Sequence, residues 1–222
     1  MSDISNILQK YEVDYGEVSL SGAGEGSVEI MTIHKSKGLE FPIVILAGMG
    51  KQFNMQDLNA RLLIHPDYGL GADAILPDRR MIVSTLYKQV IRRKLLEETL
   101  GEEIRVLYVA LTRAKEKLIM TGTIGNLEKR LLSLYRFREN EQELLPAETR
   151  LNGKTYWDYV LPALARHRCM DELFEEFGLL PSHDNLLYDD PAEFQVKRIT
   201  ARTLTEAEVV EQAVADGRRY SG

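Results

Sequence analysis

A single cysteine, Cys169, stands among 222 residues, so no internal disulfide forms, and the four histidines make no Cys/His cluster of zinc-ligand spacing with it. A zinc module is thereby excluded, and a reducing, cytoplasmic setting is expected. No apolar run approaches the ~18 residues that span a bilayer, and Met1 to Tyr11 lacks the basic start and apolar core of a secretion signal. No membrane role is expected. Positive charge is also short: 28 Lys and Arg face 34 Asp and Glu, a net of -6, which at face value argues against a nucleic-acid partner. Apolar residues are plentiful at 44%, enough to build a core, so wholesale disorder is excluded.

The charge is unevenly spread. Residues 1–125 hold 16 acidic and 15 basic side chains, whereas 126–222 hold 18 and 13, and Met170 to Phe194 carries eight carboxylates with no Lys or Arg. From Arg79 to Lys94 there are six basic residues and no acidic one. That run, with Arg92, Arg93 and Lys94 at its end, reads either as a phosphate-facing stripe or as the wet side of a helix.

Residues 3–11 suit a short helix, and Gly16 to Ser27, with Gly22, Gly24 and Gly26, reads as a flexible connector. Val28 to Ile33 and Ile43 to Ala47 read as strands, the second apolar throughout as for a strand covered on both faces, and Arg61 to Ile64 is a third apolar run. Asp67 to Gly71 and Pro77 look like turns. Ser84 to Lys117 is helical in composition, with Gly101 as an expected break between two helices, and Leu118 to Thr121 returns to strand. This alternation predicts an α/β fold with parallel pairings. Beyond Gly125, helices are expected at Asn126 to Arg138, Thr155 to Arg168, Asp171 to Phe177 and Thr205 to Asp216, with a strand at Phe194 to Thr200. The expected organisation is a helix and linker at 1–27, an α/β domain at 28–125, and a mainly helical extension at 126–222.

Two segments carry chemistry. Thr32 to Phe41, TIHKSKGLEF, places a hydroxyl, a histidine, two lysines, a glycine and a glutamate between apolar strands. With Thr32 and His34 at a strand's carboxyl end, short donors reach phosphate oxygens, Gly38 permits close backbone approach, and Glu40 suits sugar hydroxyls. A solvated, faintly basic loop is the plainer reading. The second segment, Glu102 to Lys117, EEIRVLYVALTRAKEK, puts Ile104, Leu107, Leu111 and Leu118 on one helical face, with Glu102, Arg105, Arg113 and Glu116 opposite. Its arginines either reach an anion at the sheet edge or pair with Glu102 and Glu116, a contact worth ~0.2–0.5 kcal/mol per pair.

Taken together, in order, these segments resemble motifs V and VI of the UvrD/PcrA/RecB-like superfamily 1 DNA helicases. The stretch between them, with GMGKQFN and a long basic insert, is more similar to the AddA-type branch, helicase and nuclease subunits that work beside an AddB-like second subunit. The resemblance implies the second of two RecA-like (P-loop NTPase fold) domains, which grip ATP with magnesium between them. It further implies that Arg113 is the arginine finger, that Glu40 contacts the nucleotide sugar beside Gly38, and that Thr32 and His34 hold the single-stranded DNA backbone. Lys37 sits at a family position on DNA. Lys35 is open between DNA contact and solvation, and Arg105 between nucleotide and a carboxylate of its own domain.

A P-loop of the form G-x-x-x-x-G-K-[ST] is absent, as is a clear acidic pair for magnesium. Asp190 with Gln195 and Lys197 echoes a nuclease pattern, but its spacing is too short and no further metal carboxylate sits nearby. The chain is therefore expected to be a piece of an ATP-dependent helicase and exonuclease of double-strand-break repair and recombination, acting on single- and double-stranded DNA in the bacterial cytoplasm at the nucleoid. Alone it is expected to be inactive. The alternatives are a non-catalytic helicase-like module that binds DNA or a partner, and a UvrD/PcrA-type repair helicase.

Overall fold

The computed structural model describes residues 28–180 and 185–200 together with Thr203. The helices expected at 3–11 and 205–216 and the linker at 16–27 lie outside the described residues. The architecture is mixed α/β. β1 (Phe41–Leu46) and β5 (Ala114–Met120) form a parallel pair, with Ile43 opposite Lys117 and Leu46 opposite Met120. The register slips between Phe41 and Ile43, where Pro42 has no N–H to give the ladder. The parallel pairing agrees with expectation, but double coverage of β1 does not: Ile43 and Ile45 are 57% and 62% exposed. Val28 to Ile33 is not a strand either. It meets no ladder among the described residues, and Val28 and Ile30 face solvent.

The long helix α1 (Leu86–Leu111) starts where the Thr85 hydroxyl caps the Lys88 amide at 3.2 Å. It runs through Gly101 without a break, contrary to expectation. A mid-helix glycine costs about 1 kcal/mol relative to alanine. Strong helix formers on both sides, and burial of Leu100 and Leu107 on either flank, outweigh that cost. The helix ends at Thr112, so Ala114 to Lys117 belongs to β5 and not to the helix.

The apolar run at Arg61 to Ile64 belongs to a three-stranded antiparallel sheet, β2 (Leu62–His65), β3 (Gly69–Leu76) and β4 (Met81–Ser84), whose middle strand begins among residues that read as a turn. Asp67 lies in the β2–β3 turn as expected, but Gly69 and Gly71 are in β3. The sheet lies so close to α1 that a Cβ on Gly71 would sit 2.8 Å from the Lys88 Cα. Here glycine serves close packing, and buried Lys88 pairs with Asp73 at 2.7 Å across the same contact.

The C-terminal part is helical. α2 (Leu127–Tyr135), capped by Asn126, is followed by short α3 (Ala147–Leu151), α4 (Trp157–Leu164) and α5 (Asp171–Glu176). Leu131, Leu134, Phe137, Ala165, Met170 and Phe174 make its core. Phe194 to Thr200 is exposed and has no regular secondary structure, so the expected strand is not formed there. A second core, of Leu46, Met49, Leu107 and Ala110, joins the parallel pair to α1, and Tyr156 and Trp157 of the helical part close over it. The carboxyl ends of β1 and β5 are thereby covered: Trp157 donates its amide to the Met49 carbonyl at 3.1 Å, and a Cβ on Gly122 would lie 2.5 Å from the Trp157 ring nitrogen.

Asp158 ties this seam together. One carboxylate oxygen accepts from the Lys154 and Thr155 amides at 2.8 and 2.9 Å and from the Thr155 hydroxyl at 3.0 Å, while the other meets Arg130 at 2.8 Å. Burial alone would raise its pKa, but the Lys154 amide, the Arg130 charge and Thr155 outweigh it and hold the carboxyl below its ordinary range. A depressed folded pKa means stability that is present above the unfolded carboxyl value, near 3.9, and lost as pH falls through the lower folded value. Asp158→Asn is expected to cost about 1–3 kcal/mol at neutral pH. It should also remove part of the acid-induced fall in stability below about pH 4, as read by urea unfolding at stepped pH.

Candidate functional site

Both chemistry-bearing segments meet at the amino ends of β1 and β5, because each leads directly into one of those strands. Thr32 and His34 were expected at the carboxyl end of a preceding strand; with that strand absent, they sit in a chain of turns that enters β1. Ser36 anchors the turns. Its amide donates to the Thr32 and Ile33 carbonyls at 3.2 and 3.1 Å, and its buried hydroxyl donates to the Ile33 carbonyl at 2.7 Å. The Lys35 amide reaches the Thr32 hydroxyl oxygen at 3.4 Å. Gly38 adopts φ +83°, the left-handed region that lets the turns reverse into β1. Thr32, His34, Lys35 and Lys37 are thereby presented on one exposed loop.

Arg113 lies between α1 and β5 and is stitched to this loop. Its carbonyl accepts the Phe41 amide at 2.9 Å, and its Nη1 donates to the Leu39 carbonyl at 3.0 Å. Nε donates to the Val109 carbonyl at 2.8 Å and Nη2 to the Thr112 hydroxyl at 2.9 Å. Three of the five guanidinium N–H groups are thus engaged by neutral oxygens, leaving one on each terminal nitrogen. Among the described residues no carboxylate pairs with Arg113. The expected alternative, pairing with Glu116 along one helix, does not occur, because the helix has ended before either residue. What remains is a half-buried, full positive charge with one open N–H on each terminal nitrogen, suited to the oxygens of a phosphate.

Glu40 pairs with Lys115 at 3.4 Å, both well exposed. Arg105 is 78% exposed and bonded to Glu102 at 2.9 Å, which realises the local pairing; it sits about 12 Å up the helix axis from Arg113. Arg92, Arg93 and Lys94 are not brought to this site, since they lie about 27 Å along α1 from its end. Arg92 donates to the Leu58 carbonyl at 3.1 Å and to Asn59 at 3.3 Å, Arg93 pairs with Glu97 at 2.9 Å, and Lys94 lies 3.6 Å from Glu98. Glu98 also accepts from buried His65, and that hydrogen bond holds its carboxyl below the ordinary range.

Nothing in the sequence singled out Thr112, Ser36 or Lys115. The only signal for Thr112 was its place beside Arg113, and Ser36 looked like one more polar loop residue. The site is an open ledge. A cleft of about 420 Å³ lies elsewhere, within the helical part, and is lined by residues such as Arg130, Asn140 and Asp158 and none of the motif residues. Among the described residues no three His, Cys, Asp or Glu side chains cluster to hold a metal ion, and no helix is long and apolar enough to cross a membrane. Burial pushes the Cys169 thiol up to about 11, so it stays protonated and unreactive at neutral pH.

Residues 1–124 match the UvrD-like helicase C-terminal domain, and the chain belongs to that family. Within it, the chain is 42% identical over 209 residues to the A subunit of the ATP-dependent helicase/nuclease of Clostridium botulinum strain Kyoto, covering 94% of this chain and 16% of the relative. The protein of the same name from Clostridium kluyveri is 42% identical over 191 residues, 86% of this chain and 15% of its own length. The chain thus spans about a sixth of the length of these relatives.

Proposed function

We propose that the chain is part of an AddA-type ATP-dependent helicase and nuclease subunit that unwinds and degrades DNA ends in double-strand-break repair and recombination. Residues 28–125 are read as part of its second RecA-like domain, and 126–222 as an extension toward a nuclease domain. Bound ATP with its magnesium supplies the phosphoryl group. Arg113 places its two open donors on that group, stabilising charge as it is transferred. Glu40, released from Lys115, accepts from the nucleotide sugar beside Gly38, with Arg105 as a more distant cation. Thr32, His34, Lys35 and Lys37 hold the phosphate backbone of single-stranded DNA. The P-loop and the magnesium ligands belong to other parts of the longer protein, so this chain alone is inactive. A second, AddB-like partner and a bacterial cytoplasmic, nucleoid-associated setting complete the reading.

The observation that carries it is Arg113, fixed by three neutral oxygens beside the polar loop while its charge lacks a carboxylate among the described residues. DNA binding is tested in the full-length protein by the salt dependence of single-strand affinity. Lys35→Ala with Lys37→Ala is expected to flatten the slope of log K against log salt by about 0.7 for each phosphate that is no longer neutralised. Replacing Arg92, Arg93 and Lys94 by alanine is expected to leave that slope unchanged, because Arg93 and Lys94 are paired with Glu97 and Glu98 and Arg92 is turned to the Leu58 carbonyl and Asn59, about 27 Å along α1 from the ledge. A flattened slope for the triple variant would instead place the basic stripe on phosphate.

A further inference from the structure

Arg113 does not hold its own aim. A free arginine has several rotatable bonds, and a guanidinium that must meet a phosphoryl group in transit loses its effect when it wanders. Two of its anchors, the Val109 and Leu39 carbonyls, are backbone atoms that substitution leaves in place. The third is a side chain. The Thr112 hydroxyl accepts from Nη2 at 2.9 Å, and its single hydrogen is directed at the Tyr108 carbonyl at 2.9 Å or the Val109 carbonyl at 3.1 Å. That donation turns an oxygen lone pair toward the guanidinium. Thr112 caps α1, its own amide bonded to the Tyr108 carbonyl at 3.1 Å, so the acceptor rides on a rigid helix end. Its β-branch further restricts χ1.

We infer that Thr112 is a positioning residue for Arg113: by engaging Nη2 from one side while the Leu39 carbonyl engages Nη1 from the other, it fixes the plane of the guanidinium fork. One N–H on each terminal nitrogen is then left for a ligand in that fixed plane. The inference rests on the reading of Arg113 as the finger, and the role is indirect, exerted through the guanidinium that the Thr112 hydroxyl holds.

The test uses the full-length helicase and nuclease protein with its partner, measuring DNA-stimulated ATP turnover. Thr112→Val swaps the hydroxyl for a methyl of similar shape. It is expected to lower kcat about 10- to 100-fold while KM for ATP stays within about twofold, since only a transition-state interaction is disturbed. Thr112→Ser keeps the acceptor and is expected to recover most of the rate, which a packing role for the methyl would not predict. Thr112→Ala removes the acceptor without adding bulk and is read in the same way as Thr112→Val. Combined with Arg113→Ala, Thr112→Val should cost nothing further. Wild-type turnover in Thr112→Val and Thr112→Ala beside a disabled Arg113→Ala overturns the positioning role alone, as does a Thr112→Ser variant as impaired as Thr112→Val. Wild-type turnover in Arg113→Ala overturns the finger reading, and the positioning role with it.

Discussion

Arg113→Ala in the full-length protein is expected to reduce DNA-stimulated ATP turnover by roughly 10³-fold or more, with little change in DNA affinity. The magnitude follows from what the side chain is asked to do. A fixed cation at a transferring phosphoryl group acts where charge develops, and its removal leaves no equivalent fork nearby: Arg105 is held by Glu102 about two helical turns away, and the Lys115 ammonium is a point charge without the paired donors of a guanidinium. Lysine at this position is expected to restore little. The present geometry uses three separate N–H groups for anchoring and leaves two for the ligand, whereas an ammonium has three donors at one point and cannot do both. Steady-state ATPase assays at saturating single-stranded DNA measure the effect. A variant that turns over normally would show that the ledge serves another purpose. Binding should be largely spared because the loop residues Thr32 to Lys37 are held by their own turns around Ser36, independently of the guanidinium.

The second large effect concerns stability. Phe174→Ala is expected to destabilise the helical part by about 3–5 kcal/mol, a large share of what a domain of this size possesses. Phe174 is fully buried, packs in the core with Leu131, Leu134 and Met170, and meets the edge of Tyr135 at 5.8 Å between ring centres. It also lies under the Arg138 guanidinium, 5.1 Å from the ring centre. Arg138 is itself fully buried and bonded to Asp171, whose second oxygen accepts from the Tyr188 hydroxyl at 2.7 Å. Removing the ring therefore opens a cavity and withdraws the aromatic face from a buried cation at once. Phe174→Leu fills much of that volume and should cost clearly less. Urea unfolding of the chain, with the slope m checked for constancy, separates the two variants; equal stabilities would contradict the packing described here.

The chemistry of the ledge was legible in the residues themselves, whereas its assembly was not. TIHKSKGLEF and TRA carry the donors and acceptors in fixed order, so the resemblance that assigns Thr32 to DNA, Glu40 to the nucleotide sugar and Arg113 to the transferred phosphate needed no coordinates. What the letters could not show is that Arg113 bonds to the Leu39 carbonyl, 74 positions earlier in the chain. A helical projection of residues 102–117 placed Arg113 with Arg105 on one face, yet the helix ends before Arg113 and the two arginines serve different contacts. Gly69 and Gly71 disguised the start of a strand for a related reason. Turn-type residues were placed there by the tight approach of β3 to α1, which no local pattern records.

By itself, then, the amino-acid sequence determined the α/β class of fold with parallel pairing, strand segments at Ile43 and Leu118, and the basic and polar residue types of the two motif segments. Those depend on local propensity and apolar patterning, which act over a few residues. Tertiary structure alone decided three things: that the parallel pair is bare on one face of β1, that Gly101 stays helical, and that Thr112, Val109 and Leu39 converge on one guanidinium. The continuity at Gly101 and the reach of Arg113 to Leu39 depend on burial and hydrogen bonding that outweigh the local preferences a single stretch of sequence displays.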